Sequence, residues 1–219
     1  MPGTRERVRS AKGRPIGSTR WLERQLNDPY VHRARREGFR ARSVYKLQEI
    51  DREVGLLRKG ARLVDLGAAP GSWSQYAARR GCGVVALDLS EVQPIAGVDI
   101  LRGDFLDAEV QRRVVEWLGG PVDLVLSDMA ASSTGARAVD RLRAEGLGEA
   151  VLDFAARVLA PGGGCLVKLV RGAEAPVQAL ARPSFRRIRL LRPPATRSDS
   201  SEIFLLAEDF RGPAGDEEG

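Results

Sequence analysis

Seven short apolar runs punctuate the chain from Arg62 onward, and their spacing limits the folds open to it. The runs are RLVDL, GVVALDL, GVDILRG, VDLVLSD, GCLVKLV, FRRIRLL and EIFLLAE. Among them lie amphipathic stretches, with helix candidates at Ser72–Arg80, Asp107–Leu118, Gly148–Leu159 and Ala173–Ala181. In the third of these, Val151, Phe154, Ala155, Val158 and Leu159 form one apolar stripe, which PGGG terminates. Strand–helix alternation with nearly unbroken apolar strands predicts a parallel sheet covered by helices on both faces. No helix separates the last two runs, so the final strand is expected to run antiparallel to its neighbour.

The 219 residues and 43% hydrophobic content suit one domain with a single core. No apolar run is long enough to span a bilayer, and the N-terminus lacks the apolar segment of a secretory signal. Two cysteines and one histidine offer neither a disulfide framework nor a zinc site, so the expected setting is the reducing cytoplasm, without metal. Charge is unevenly spread. Met1–Lys46 holds 13 Lys and Arg against 4 Asp and Glu, a local +9 within a total of +6, which leaves −3 for the remainder. A basic front on a near-neutral domain points to a polyanion, because phosphate contacts release condensed counterions. The expected organisation is a basic flexible arm over 1–27, a single domain over 28–210 and a disordered tail over 211–219. Residues 28–60 form a basic helical segment whose Val44, Leu47, Ile50 and Val54 pack on the domain.

Acids recur where the strands end. Asp65 precedes GAAPGSW, in which Gly67 and Gly71 permit a tight turn and close backbone approach. Asp88 ends the second strand, Asp104 follows the third beside Phe105, and Asp128 ends the fourth. Any one of these reads equally well as a helix cap, but four at successive strand ends form a pattern. In open α/β sheets that edge holds the ligand. A dinucleotide pyrophosphate would want helix N–H groups and few acids, whereas a row of carboxylates suits a ribose, an adenine and a cationic end. S-adenosylmethionine fits. A mostly parallel seven-stranded sheet with an antiparallel C-terminal hairpin strand is the Rossmann-like arrangement of the methyltransferases that use it.

FRARSVYKLQEID, LVDLGAAPGSWSQ, DILRGDF, LSDMA, APGGGCLVKLV and RPPATRSDSSEIF resemble, in order and spacing, the FtsJ-like ribosomal RNA large-subunit 2′-O-methyltransferases, the RlmE group. The resemblance implies a catalytic tetrad of Lys46, Asp128, Lys168 and Glu202, with Lys168 as proton acceptor. It also implies cofactor contacts at Gly71, Trp73, Asp88, Asp104 and Asp128. Transfer from a sulfonium to a ribose hydroxyl is an in-line displacement, so oxygen, methyl and sulfur must be aligned. Lys168 either takes the hydroxyl proton or orients the hydroxyl electrostatically, the proton leaving late. The chain departs from the family after SDMA, with Ala131-Ser132 in place of Pro-Asn. It also has Phe204 for a Tyr, Arg192 for a Lys and VRG for FQG.

The resemblance implies 23S rRNA, met in the assembling 50S subunit, as substrate, with a uridine as acceptor. Arg40, Arg42 and Tyr45, just before and beside the first tetrad lysine, are the expected RNA contacts, arginines gripping phosphates and the ring stacking a base. A required 2′-hydroxyl excludes DNA; a monomer is expected. No Asn-Pro-Pro-Tyr-like turn for base amino groups is present. Cys82 and Cys165 sit in a turn and a buried run, which argues against a cytosine-C5 mechanism. The remaining alternatives are methylation of another RNA such as tRNA, and a non-catalytic ribosome-assembly factor that keeps a cofactor pocket.

Overall fold

A computed structural model describes residues 26–213. The expectations for a flexible N-terminal arm and a disordered tail fall largely outside that range. Two helices lead the described chain, α1 over Pro29–Arg36 and α2 over Val44–Val54. Asp28 caps α1, its carboxylate accepting from Tyr30 N at 3.0 Å, and Pro29 opens the helix where its missing N–H costs nothing. The single helical segment expected here is thus broken by the turn at 37–43. Val44, Leu47 and Ile50 are buried as the spacing predicts.

The sheet follows: β1 Arg62–Leu66, β2 Gly83–Asp88, β3 Val98–Arg102, β4 Val122–Ser127, β5 Leu159–Val170, β6 Phe185–Leu191 and β7 Glu202–Phe210. Its order is β3-β2-β1-β4-β5-β7-β6, and β7 pairs antiparallel with both neighbours while the other pairs are parallel. The remaining helices are α3 Ser72–Arg79, α4 Ala108–Leu118, α5 Arg137–Val158 and α6 Glu174–Ala181. Val114, Phe154, Val158 and Val177 place α4, α5 and α6 on one face of the sheet; Leu47, Ile50, Trp73 and Ala77 place α2 and α3 on the other. None of these helices is long and apolar enough to cross a membrane.

α5 begins at Arg137, well before the expected Gly148. The added turns are mostly exposed, Leu142 at 60% and Val139 at 41%, so no apolar stripe marked them. β5 likewise starts earlier than GCLVKLV: Leu159 already pairs with Val122, and the register shifts before Leu124 meets Gly164, leaving PGG as a bulge.

Side-chain parity decides what reaches the site. Leu124 and Leu126 of β4, Leu166 of β5, and Phe204 and Leu206 of β7 share the face covered by α2 and α3. Asp128, Lys168 and Glu202 continue those even-numbered rows at the carboxyl edge, and α2 brings Lys46 to meet them.

Candidate active site

Strand order reverses between β1 and β4, and a cavity of about 840 Å³ opens there. β1 approaches it through Gly67, and Asp65, two residues earlier, is fully buried and accepts from Ser74 Oγ at 2.5 Å. Burial pushes the Asp65 carboxyl up to about 7; the charges of Asp128 and Asp88 add to this, and the bonds from Ser74 oppose it. The turn after β1 depends on Gly67. Its φ is +75°, and a Cβ there would strike the Met129 side chain and lie 3.0 Å from Met129 N and Cα. That close approach lets the chain leaving β4 cross directly over the turn.

Asp88 accepts from Ala69 N at 2.8 Å and from Ser90 N at 2.7 Å, so two backbone amides fix its carboxylate at the cavity wall. Asp104 accepts from Leu106 N at 3.0 Å. Asp88, Asp104 and Asp128 all line the cavity. Gly71 and Trp73 do not. Gly71 faces Ile95, Val92 and Arg40, and its positive φ of 101° starts α3. Trp73 is buried, its ring 5.8 Å from that of Phe204 and its Nε1 donating to Ser43 O at 2.9 Å. Leu89 and Leu106, which also line the cavity, are exposed at 66% and 61% and were not anticipated. Each stands one or two positions after a strand-end aspartate, a signal the chain does carry.

The four charged residues converge. Lys46 Nζ lies 2.7 Å from Glu202 Oε2, Lys168 Nζ lies 2.9 Å from Asp128 Oδ1, and Glu202 Oε1 stands 4.0 Å from Lys168 Nζ. Lys168 Nζ also donates to the Asp128 carbonyl. The side chains of Lys46 and Lys168 are only 8% and 11% exposed, so these contacts form largely out of water. Burial alone would raise the Glu202 pKa; the charge and hydrogen bond of Lys46 and the charge of Lys168 outweigh it and hold the carboxyl below its ordinary value. The arrangement is an alternating chain of charge, ammonium–carboxylate–ammonium–carboxylate, whose Asp128 end opens into the cavity.

The expected RNA contacts are engaged within the protein. Arg40 donates from Nη1 to Gln93 O at 2.7 Å and Pro70 O at 3.0 Å, and from Nη2 to Pro94 O at 2.7 Å. Arg42 pairs with Asp28 at 3.0 Å and donates to Ala195 O at 2.7 Å. Tyr45 is 1% exposed, its hydroxyl donating to Glu37 at 3.0 Å and its ring lying among Arg33, Tyr30 and Phe39. These residues clamp the N-terminal helices onto the domain, and the Tyr45 ring has no open face for a base. Helix spacing showed the charges but not the partners, which lie as far as 153 positions away.

Comparison with known proteins agrees with this geometry. Residues 39–210 match the FtsJ-like methyltransferase family model. The ribosomal RNA large subunit methyltransferase E of Xanthobacter autotrophicus is 49% identical over 215 residues, covering 95% of this chain and 85% of its own. The protein of that name from Gluconobacter oxydans is 48% identical over 206 residues, with 93% and 77% covered. A solved structure from Plasmodium falciparum, assigned as a ribosomal RNA methyltransferase, aligns with a TM-score of 0.72 at 25% identity, covering 80% of this chain and 100% of that one. With the match running from Phe39, ahead of α2, through Phe210, the last residue of β7, the chain belongs to the FtsJ-like methyltransferase family.

Proposed function

We propose that the protein transfers a methyl group from S-adenosylmethionine to a ribose 2′-oxygen of large-subunit ribosomal RNA, 23S rRNA in the assembling subunit. The observation that carries this is the convergence of Lys46, Asp128, Lys168 and Glu202 at the rim of an acid-lined cavity. The relatives above are named for large-subunit ribosomal RNA, which supports that substrate over tRNA.

The cavity fits the donor. Asp88, already oriented by two amides, has acceptor capacity left for ribose hydroxyls, and Asp104 stands by for an exocyclic amine. Leu89 and Leu106 offer apolar flanks to a purine, and three lining carboxylates suit a cation. When bound, the donor supplies a methyl on a positively charged sulfur that departs as a neutral thioether.

The protein's own groups then act on the acceptor. The O–C bond forms as the C–S bond breaks, and the hydroxyl proton must leave. Around Lys168 Nζ stand the Asp128 carboxylate, the Asp128 carbonyl and, farther off, Glu202. All three attract positive charge. The geometry therefore favours Lys168 as an ammonium that orients the ribose oxygen for in-line attack, while the carboxylates beside it offset the positive charge that oxygen gains as its proton passes late to water. Lys46 and Glu202 hold that ammonium in place.

The test is transfer of labelled methyl to large-subunit ribosomal RNA, with the product mapped as 2′-O-methyl ribose. Lys168→Ala should lower turnover about 100-fold or more while leaving donor affinity unchanged. Lys168→Arg, which keeps the charge but cannot act as a base, should retain more activity than the alanine variant. Absence of transfer by the wild-type protein would leave the non-catalytic assembly factor as the better reading.

A further inference from the structure

A second cavity, of about 560 Å³, meets the first at the tetrad. The two share Met129, Ala130, Ala131 and Leu147 as a partition. Asp128 lines the larger cavity and Lys168 the smaller, and their side chains join across the partition at 2.9 Å. An acceptor in the smaller cavity and a donor in the larger would therefore meet at the Lys168–Asp128 pair, as a direct displacement between them requires.

Two arginines line this cavity without a task inside the protein. Arg137 is the first residue of α5 and Arg171 directly follows β5. Among the described residues neither guanidinium has a hydrogen bond or ion pair, whereas nearby Arg141 pairs with Glu145 and Arg143 donates to Ser132 O. Arg137 is also placed where a cation is unfavourable, because the helix dipole makes that end positive. No side chain caps α5 at Ala136. An anion would satisfy both features, gaining from the guanidinium and from the open N–H groups. Asp140 and Asp199 line the cavity too, but Asp140 is turned to Ser133 and Thr134, accepting from them at 2.7–2.8 Å.

We infer that the smaller cavity receives the acceptor as a single ribonucleotide turned out of its stack, its flanking phosphates held by Arg137, with the N-terminus of α5, and by Arg171. The inference rests on the reading of Lys168 as the residue that addresses the ribose oxygen. Lys168 lies at the cavity floor with only 11% of its side chain exposed, so a ribose still inside a duplex cannot reach it and the nucleotide must be extruded. Met129, Ala144 and Leu147 give the base an apolar wall, and Ser201 gives its edge a polar partner.

The experiment uses the full chain and an RNA that the wild-type protein methylates, its acceptor nucleotide mapped first. Arg137→Ala and Arg171→Ala should each raise the KM for RNA about tenfold, with kcat within about twofold and donor affinity unchanged. Each should also make the salt dependence of RNA binding shallower, by about one unit of log–log slope. Lysine at either position should recover most of the loss. Arg113→Ala on α4, which removes an equal charge from a helix lining neither cavity, should change none of these. Holding the acceptor nucleotide in a continuous duplex should reduce turnover about tenfold, by the cost of unstacking it. If both arginine variants match the wild type in KM and salt slope, or the paired acceptor reacts as fast as the unpaired one, the inference fails while transfer by the wild type keeps the proposed function intact. If the wild type methylates no RNA, both fail together.

Discussion

Lys46 and Glu202 stand 156 positions apart in the chain, yet their Nζ and Oε2 atoms lie 2.7 Å apart, and the other oxygen of the same carboxylate faces Lys168. One carboxylate thus serves two ammonium groups. Its removal leaves Lys46 desolvated and unpaired. Glu202→Ala should destabilise the fold by about 1–3 kcal/mol, read by chemical denaturation. Glu202→Gln keeps the volume but not the charge, and should lower methyl transfer about 100-fold in single-turnover assays.

Stability should depend on pH in two opposite ways. Asp65 has an ordinary pKa of 3.8 and a folded value of about 7, so between these the folded state binds the proton more tightly than the unfolded state. Its contribution is full below 3.8 and is lost as pH rises through about 7. Glu202 is depressed below its ordinary 4.5; its contribution is present above 4.5 and lost as pH falls through the lowered value. Unfolding midpoints compared between wild type and Asp65→Asn should diverge over about pH 4–7, the wild type falling relative to the variant as pH rises. A constant difference across that range would contradict the assignment.

Gly67 and Gly55 both have positive φ, at 75° and 67°, but only Gly67 has neighbours where a Cβ would go. Gly55→Ala should cost about 1–2 kcal/mol from backbone strain alone. Gly67→Ala should cost about 1–3 kcal/mol more, because the Met129 backbone must also move. Since Met129 begins the partition, Gly67→Ala should weaken donor binding in titration calorimetry and Gly55→Ala should not.

Tyr45→Phe removes the bond to Glu37 and keeps the ring. The expected loss is about 0.5–1.5 kcal/mol of stability, with RNA affinity unchanged. A large drop in RNA affinity without a change in unfolding midpoint would restore Tyr45 as a base-stacking residue.

Asp140 accepts from Thr134 N, Thr134 Oγ1 and Ser133 Oγ, and these bonds hold its pKa at about 2. Asp140→Ala should speed amide exchange in residues 133–135 and leave the sheet amides untouched, with the KM for RNA rising and donor affinity steady.

Local pattern and tertiary contact explain what the sequence did and did not reveal. The strands were readable as short apolar runs, well buried in the centre of the sheet and only partly so in the edge strands β3 and β6, and Asp88, Asp104 and Asp128 because strand-end acids have only one edge to occupy. The resemblance named Lys46, Asp128, Lys168 and Glu202, but not the order in which they touch. That order depends on β7 lying between β5 and β6 with Lys168 opposite Phe204. The start of α5 was hidden by exposed residues without a stripe. Arg40, Arg42 and Tyr45 carried the chemistry of an RNA surface, but side chains that distant segments can claim do not show their partners in a linear reading. Arg137 carried no motif, Arg171 appeared only within the VRG departure, and their common placement emerged only from the cavity they share.

Every residue lining the larger cavity lies between Gly67 and Leu147, whereas Lys168 and Glu202 come later and the pairing of β7 with β5 brings Glu202 into place. Ribosomal synthesis therefore lays down the walls of this cavity before it makes the lysine and glutamate that meet at its rim. The reactive centre closes only when the penultimate stretch of polypeptide turns back on itself, so a chain that stalls before Glu202 lacks the means to complete it.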